Sequence, residues 1–148
     1  MERPVELTLA MALGLFHLWI GAFGGFDASI QRGVHLGLAV LIFALSIEDK
    51  TKKLQFSLSI VASALIGLSI GWKILNLEYL SAGRFEFVSP LTPIETMLGT
   101  IVCVSILWLC FRAVGWVLPA LVIVFSAYCF IPDLPGILDH RGYTYDLF

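Results

Sequence analysis

Charge is what this sequence has least of. Asp, Glu, Lys and Arg make up 14% of its 148 residues and hydrophobic residues 59%, where a soluble domain carries about 25% and about 45–50%. With a mean hydropathy of +0.93, the balance excludes a soluble globular domain and points to a polytopic α-helical membrane protein. Nine basic and eleven acidic residues leave a net charge of −2 without a basic stripe, so no nucleic-acid partner is expected. Cysteine is also scarce. Cys103, Cys110 and Cys129 lie inside apolar runs with no CxxC pair and no metal-ligand spacing, and they read as small buried hydrophobes. No Ser-His-Asp arrangement, Gly-rich phosphate loop or HExxH occurs, so neither a catalytic residue nor a cofactor is expected.

The most telling absence is that of acidic groups deep in the apolar runs. Glu6, Asp27, Glu48, Asp49, Glu78, Glu86, Glu95, Asp133, Asp139 and Asp146 all fall at segment ends or in loops. Membrane proteins that move protons or cations keep carboxylates within the membrane. Nor do two interrupted helices with polar centres mark a substrate site. The chain by itself looks unable to form a coupled transport path.

What is present is a series of apolar runs, predicted as about five hydrophobic helices (four plus a connecting helix) over 6–23, 28–47, 54–75, 93–111 and 114–131, with a tail over 132–148. A membrane-spanning helix needs ~20 residues. The first run reads as a membrane helix and not a cleaved signal, since it has no small-residue cleavage site. Gly24-Gly25 ends it, and Asp27 is placed to cap the second. Thr92-Pro93-Ile94-Glu95 is a full helix-start signal, a capping box with proline at the first helical position. Pro119 lies inside the fifth run and predicts a kink there. Lys50, Lys52 and Lys53 form the strongest local positive charge and predict a cytoplasmic N-terminus.

Small residues recur at every fourth position of the third run, Ser59, Ser63, Gly67 and Gly71, and predict a face on which another helix packs closely. Arg32 and His35 share one helical face and are candidate contacts for lipid headgroups or an acidic partner. Lys73, beside Trp72, reads as a snorkelling interfacial lysine. Arg112, at the end of the fourth run, suits both the helix dipole and the positive-inside rule, and is a candidate contact for another membrane subunit or lipid. His17 is the ionisable group most clearly inside a span. It reads as a neutral imidazole bonded to a neighbouring helix. A haem or metal site shared with His35 is the alternative, disfavoured because His35 lies near a helix end.

Several short stretches occur in a telling order. They are Phe16-His17-Leu18, Gln31-Arg32 with Val34-His35-Leu36, Tyr79-Leu80 before Gly83-Arg84, and Thr92-Pro93-Ile94-Glu95 with Gly99. Then come Phe111-Arg112-Ala113-Val114-Gly115-Trp116, Leu118-Pro119, Leu134-Pro135-Gly136 and His140-Arg141-Gly142-Tyr143. Together they resemble the small membrane region of tripartite ATP-independent periplasmic (TRAP) transporters, of the type fused to the large permease region and paired with TAXI-type binding proteins. The resemblance covers nearly the whole chain. It implies a non-catalytic scaffold in the cytoplasmic (inner) membrane of a bacterium or archaeon, whose partners are a large ion-coupled membrane subunit and a periplasmic binding protein that captures organic acids or similar anions. Fused relatives continue where this sequence stops at Phe148, so a separate subunit and the front of a longer chain are both open. Two other readings remain at this point. One is the small membrane subunit of a tripartite tricarboxylate-type transporter, the other a haem- or quinone-linked redox protein using His17 and His35.

Overall fold

A computed structural model of the chain describes residues 4–46, 53–82, 89–132 and 135–136. Among these residues six helices run in order: α1 (Pro4–Phe23), α2 (Ala28–Ser46), α3 (Lys53–Leu75), α4 (Leu77–Ala82), α5 (Pro93–Val114) and α6 (Val117–Cys129). Four of them, α1, α2, α3 and α5, are long and apolar enough to cross a membrane, and the chain is a multi-pass membrane protein. The 19 residues of α2 extend about 28 Å at 1.5 Å per residue, close to the ~30 Å hydrocarbon core. The 13 residues of α6 reach roughly 20 Å, less than the full passage expected over 114–131. Lys50, Lys52, Arg84, Arg141 and most of the tail lie outside the described residues.

The chain divides into two compact units, Met1–Leu77 and Glu78–Phe148. In the first, α2 is the middle helix, packed against α1 on one side and α3 on the other. Gly24 ends α1 at a φ of +94°, a left-handed conformation that costs glycine nothing, while its amide bonds to the Ile20 carbonyl at 3.1 Å. Asp27 then caps α2, its Oδ1 accepting from the Ser29 amide at 2.8 Å. Phe26 in the turn stacks on Phe16 with the rings nearly parallel and holds the hairpin end closed.

The interior of this unit is small and hydroxylated. Ser59, Ala62, Ser63, Ile66 and Ser69 of α3 are buried, with Ala44 of α2. The exterior is large and apolar, with Leu7, Leu15, Leu18 and Phe23 of α1 and Leu54 and Leu68 of α3 exposed. A soluble protein has the opposite distribution. Helices in a bilayer gain nothing by hiding leucine from lipid, and they associate through small side chains that let backbones approach. The buried hydroxyls are satisfied locally. Ser59 donates to the Gln55 carbonyl at 3.0 Å and Ser69 to that of Leu65 at 2.9 Å, each within its own helix. Ser63 instead donates across to the Val40 carbonyl of α2 at 3.0 Å.

The four-residue ridge of α3 follows this interior only in part. Ser59 and Ser63 are buried, but Gly67 is exposed and Gly71 half-exposed. A spacing of four turns the direction by about 40° per step on a helix of 3.6 residues per turn. The buried stripe therefore passes to Ile66 and Ser69, and a Cβ added to Gly67 or Gly71 would meet nothing within 4 Å. The close approach is supplied by α2. Gly33 and Gly37 face Ile70, and a Cβ at Gly33 would stand 2.8 Å from the Ile70 Cγ2. Gly33, Gly37, Gly67 and Gly71 line one open apolar groove of about 450 Å³ between α2 and α3.

In the second unit α5 packs against α6. The expected capping box is present in full, the Glu95 amide donating to the Thr92 Oγ1 at 3.4 Å and the Thr92 amide to the Glu95 Oε2 at 2.6 Å. The helix runs three residues beyond the expected end at 111, so Arg112 lies in its last turn. Gly115 breaks the chain at a φ of +84°. Pro119 does not kink a passing helix, as the sequence suggested. Since α6 starts at Val117, the proline sits in its first turn, where amides lack intrahelical partners and a missing donor costs little.

Candidate functional site

Two ionisable side chains of the membrane-length helices meet in the first unit, between α1 and α2. The His17 Nε2 and the His35 Nδ1 stand 2.8 Å apart in a hydrogen bond between α1 and α2, their rings edge to face at a centroid distance of 5.0 Å. Phe16 meets the His17 ring edge-on at 5.5 Å. Sequence reasoning set His35 near a helix end and out of register with His17. The hairpin corrects this: in two antiparallel helices, residues equidistant from the turn lie at equal depth, and His17 and His35 are equidistant from Phe26. The missed signal was the length of chain on each side of Gly24-Gly25.

The pair has a definite hydrogen-bond balance. A neutral imidazole carries one N–H and one bare nitrogen. The bridge uses one of each, so either tautomer leaves one N–H donor and one acceptor on the pair. Neither residue is covered, for both His17 and His35 are exposed. At 2.8 Å the nitrogens are spaced for a bridging proton. Ligands on opposite faces of a metal would stand roughly 4 Å apart at ordinary metal–nitrogen bond lengths. Among the described residues, no cluster of three or more His, Cys, Asp and Glu side chains is placed to hold a metal.

Arg32 extends the same surface. From Ser29 to Ser46, Arg32 and His35 are the exposed residues of α2, all others being half-buried or buried. They sit one turn apart with the guanidinium nearer the start of the helix. The Arg32 side chain makes no hydrogen bond or ion pair with a described residue. The surface is thus rich in donors, with an arginine above an imidazole pair that has one N–H to give.

The other candidate contacts lie elsewhere. Lys73 is exposed in the last turn of α3, where the Asn76 side chain bonds the Trp72 carbonyl at 2.8 Å. Arg112 is half-buried in the last turn of α5, in the second unit. Its charge faces the carbonyl end of that helix, a favourable place for a cation. The acidic residues of the described helices, Glu6, Glu78 and Glu95, each occupy a first turn. Glu6 also accepts a hydrogen bond from Ser46, at the far end of α2, at 3.1 Å. The groove beside Gly33 and Gly67 presents almost entirely carbon, so it offers shape but little polar recognition. Compared with known proteins, the chain matches no family model, no curated protein and no solved structure.

Proposed function

We propose that the chain is the small, non-catalytic membrane component of a TRAP-type secondary transporter. In this reading it braces a large ion-coupled permease that imports organic acids or similar anions from a periplasmic binding protein, in a bacterial or archaeal inner membrane. The resemblance of its ordered motifs supports the assignment. The observation that carries the scaffold role is the position of the acids. With Glu6, Glu78 and Glu95 all in first turns, the described spans hold no carboxylate at the depth where coupled transport needs one. The N-terminus is cytoplasmic in this reading, by the lysines at 50, 52 and 53.

Reconstitution tests the proposal. The chain alone in proteoliposomes shows no uptake of radiolabelled C4-dicarboxylates or 2-oxo acids under a sodium or proton gradient. Co-expressed with the large hydrophobic protein encoded beside or after it, it co-purifies as a stable complex. Gradient-driven uptake by the chain alone overturns the reading, as does failure to associate with any such partner.

A further inference from the structure

We propose that the exposed face of α2 with the imidazole pair is a phospholipid site, in which Arg32 holds the phosphodiester and the spare imidazole N–H holds a glycerol-ester carbonyl. The inference rests on the membrane character of the helices and not on the transporter reading. Three observations carry it.

The first is depth. Arg32 and His35 are the fifth and eighth residues of α2, about 6 and about 10 Å from its start at 1.5 Å per residue. Helical side chains lean toward the N-terminus of their helix, and an arginine stem reaches further in that direction by snorkelling. The guanidinium therefore arrives near the headgroup boundary, with the imidazoles one turn beneath it. A glycerophospholipid presents the same order, phosphate outermost and ester carbonyls just below.

The second is chemical complementarity. The Arg32 side chain has no partner among the described residues and carries five donors with no acceptor. The His17–His35 bridge leaves one N–H over. Phosphodiester oxygens and ester carbonyls are acceptors, and a guanidinium suits phosphate oxygens in a bidentate fork. An unsatisfied donor in contact with lipid would otherwise be costly.

The third is access. His17, Arg32 and His35 are all exposed, while the rest of α2 beyond Ala28 is half-buried or buried. Deeper than His17 the surface of α1 is acyl-chain-like, with Leu15, Met11 and Leu7 exposed, so lipid tails can lie along α1 below a bound headgroup.

Native mass spectrometry of the full chain in detergent micelles tests the site with three probes: 1-palmitoyl-2-oleoyl phosphatidylglycerol, its diether analogue, and the matching diacylglycerol. The diester phospholipid gives a one-lipid adduct, and diacylglycerol, lacking phosphate, gives none at the same concentration. The diether keeps the phosphate but lacks the carbonyls, and binds roughly threefold more weakly, the share of one neutral hydrogen bond. Arg32→Gln lowers adduct occupancy about tenfold, and Arg32→Lys restores part of it. In the His17→Leu/His35→Leu variant the ester and ether lipids bind equally. Equal binding of diester and diether to the unaltered chain removes the imidazole part without recourse to any variant. Unchanged adducts in Arg32→Gln at native helix content overturn the site. Displacement of the lipid by millimolar inorganic phosphate or by an acidic membrane partner does so too.

Discussion

Ile70 of α3 occupies the space that a side chain at Gly33 of α2 would need, its Cγ2 lying 2.8 Å from where a Cβ would stand. Because isoleucine is branched at Cβ and stiff at χ1, it cannot swing aside cheaply. Gly33→Leu is therefore expected to separate α2 from α3 and to cost about 1–3 kcal/mol in overpacking. Ile70→Ala in the same chain recovers most of the loss. Unfolding titrated with a denaturing detergent reads both effects. A Gly33→Leu variant as stable as the parent removes this contact from the account.

Ser63 and Ser59 separate two kinds of buried hydroxyl. Ser63→Ala breaks the bond to Val40 on the neighbouring helix and is expected to lower stability by about 0.6 kcal/mol, a typical interhelical value in membranes. Ser59→Ala removes a bond made within α3 and changes stability by less. The same unfolding titration ranks them, and a larger loss for Ser59 reverses the assignment.

For the imidazole pair, a double-mutant cycle gives a sign as well as a size. His35→Leu leaves His17 without its bridge, and His17→Leu does the reverse. The double variant removes both partners, and losing both is milder than orphaning one. The double variant is expected to cost less than the sum of the two single losses, by a coupling of about 0.6–1.7 kcal/mol. Additive losses exclude an interaction.

Thr92→Ala is expected to cost about 1 kcal/mol by removing the cap of α5. Its mark is local. Amide exchange accelerates at Glu95 and Thr96 while amides near Leu109 keep their protection, and uniform acceleration along α5 contradicts the cap.

Gly115 and Pro119 are expected to swap the importance that proline usually has in a helix. Gly115→Ala places a Cβ at a φ of +84° and a ψ of −168°, a region that glycine alone occupies readily, at about 1–3 kcal/mol. Pro119→Ala sits in a first turn and changes the backbone little. Comparison of helix content and stability in the two variants decides the matter.

Features that depend on neighbours in sequence are legible in the sequence itself. The Thr92 and Asp27 caps and the glycine stop after α1 follow from side-chain reach over two or three residues. The membrane class followed from composition alone. Features that depend on which helix faces which were not. The Gly33–Gly37 pair has the same four-residue spacing as the α3 ridge, yet spacing does not tell which ridge meets a side chain and which meets open space. His17 and His35 looked unmatched because depth was judged from each run separately, although α1 and α2 form one hairpin with a common turn. Pro119 was misread because the break at Gly115 moves the helix start to Val117, turning an interior proline into a first-turn one. Arg32 was already marked as a contact, but its place above an imidazole pair required the fold.

The hydroxyls of α1, α3 and α5 suggest an order of events during membrane insertion. Thr8 bonds the Pro4 carbonyl at 2.7 Å, Thr100 that of Thr96 at 2.8 Å, and Ser59 and Ser69 do likewise four residues back. Each of these groups is satisfied as soon as its own helix forms, so a helix can enter hydrocarbon alone with those polar atoms already quenched. Ser63 differs, since its acceptor belongs to α2. It stays unspent until α2 and α3 meet, which makes that one hydroxyl a marker of the step at which separate spans become a bundle.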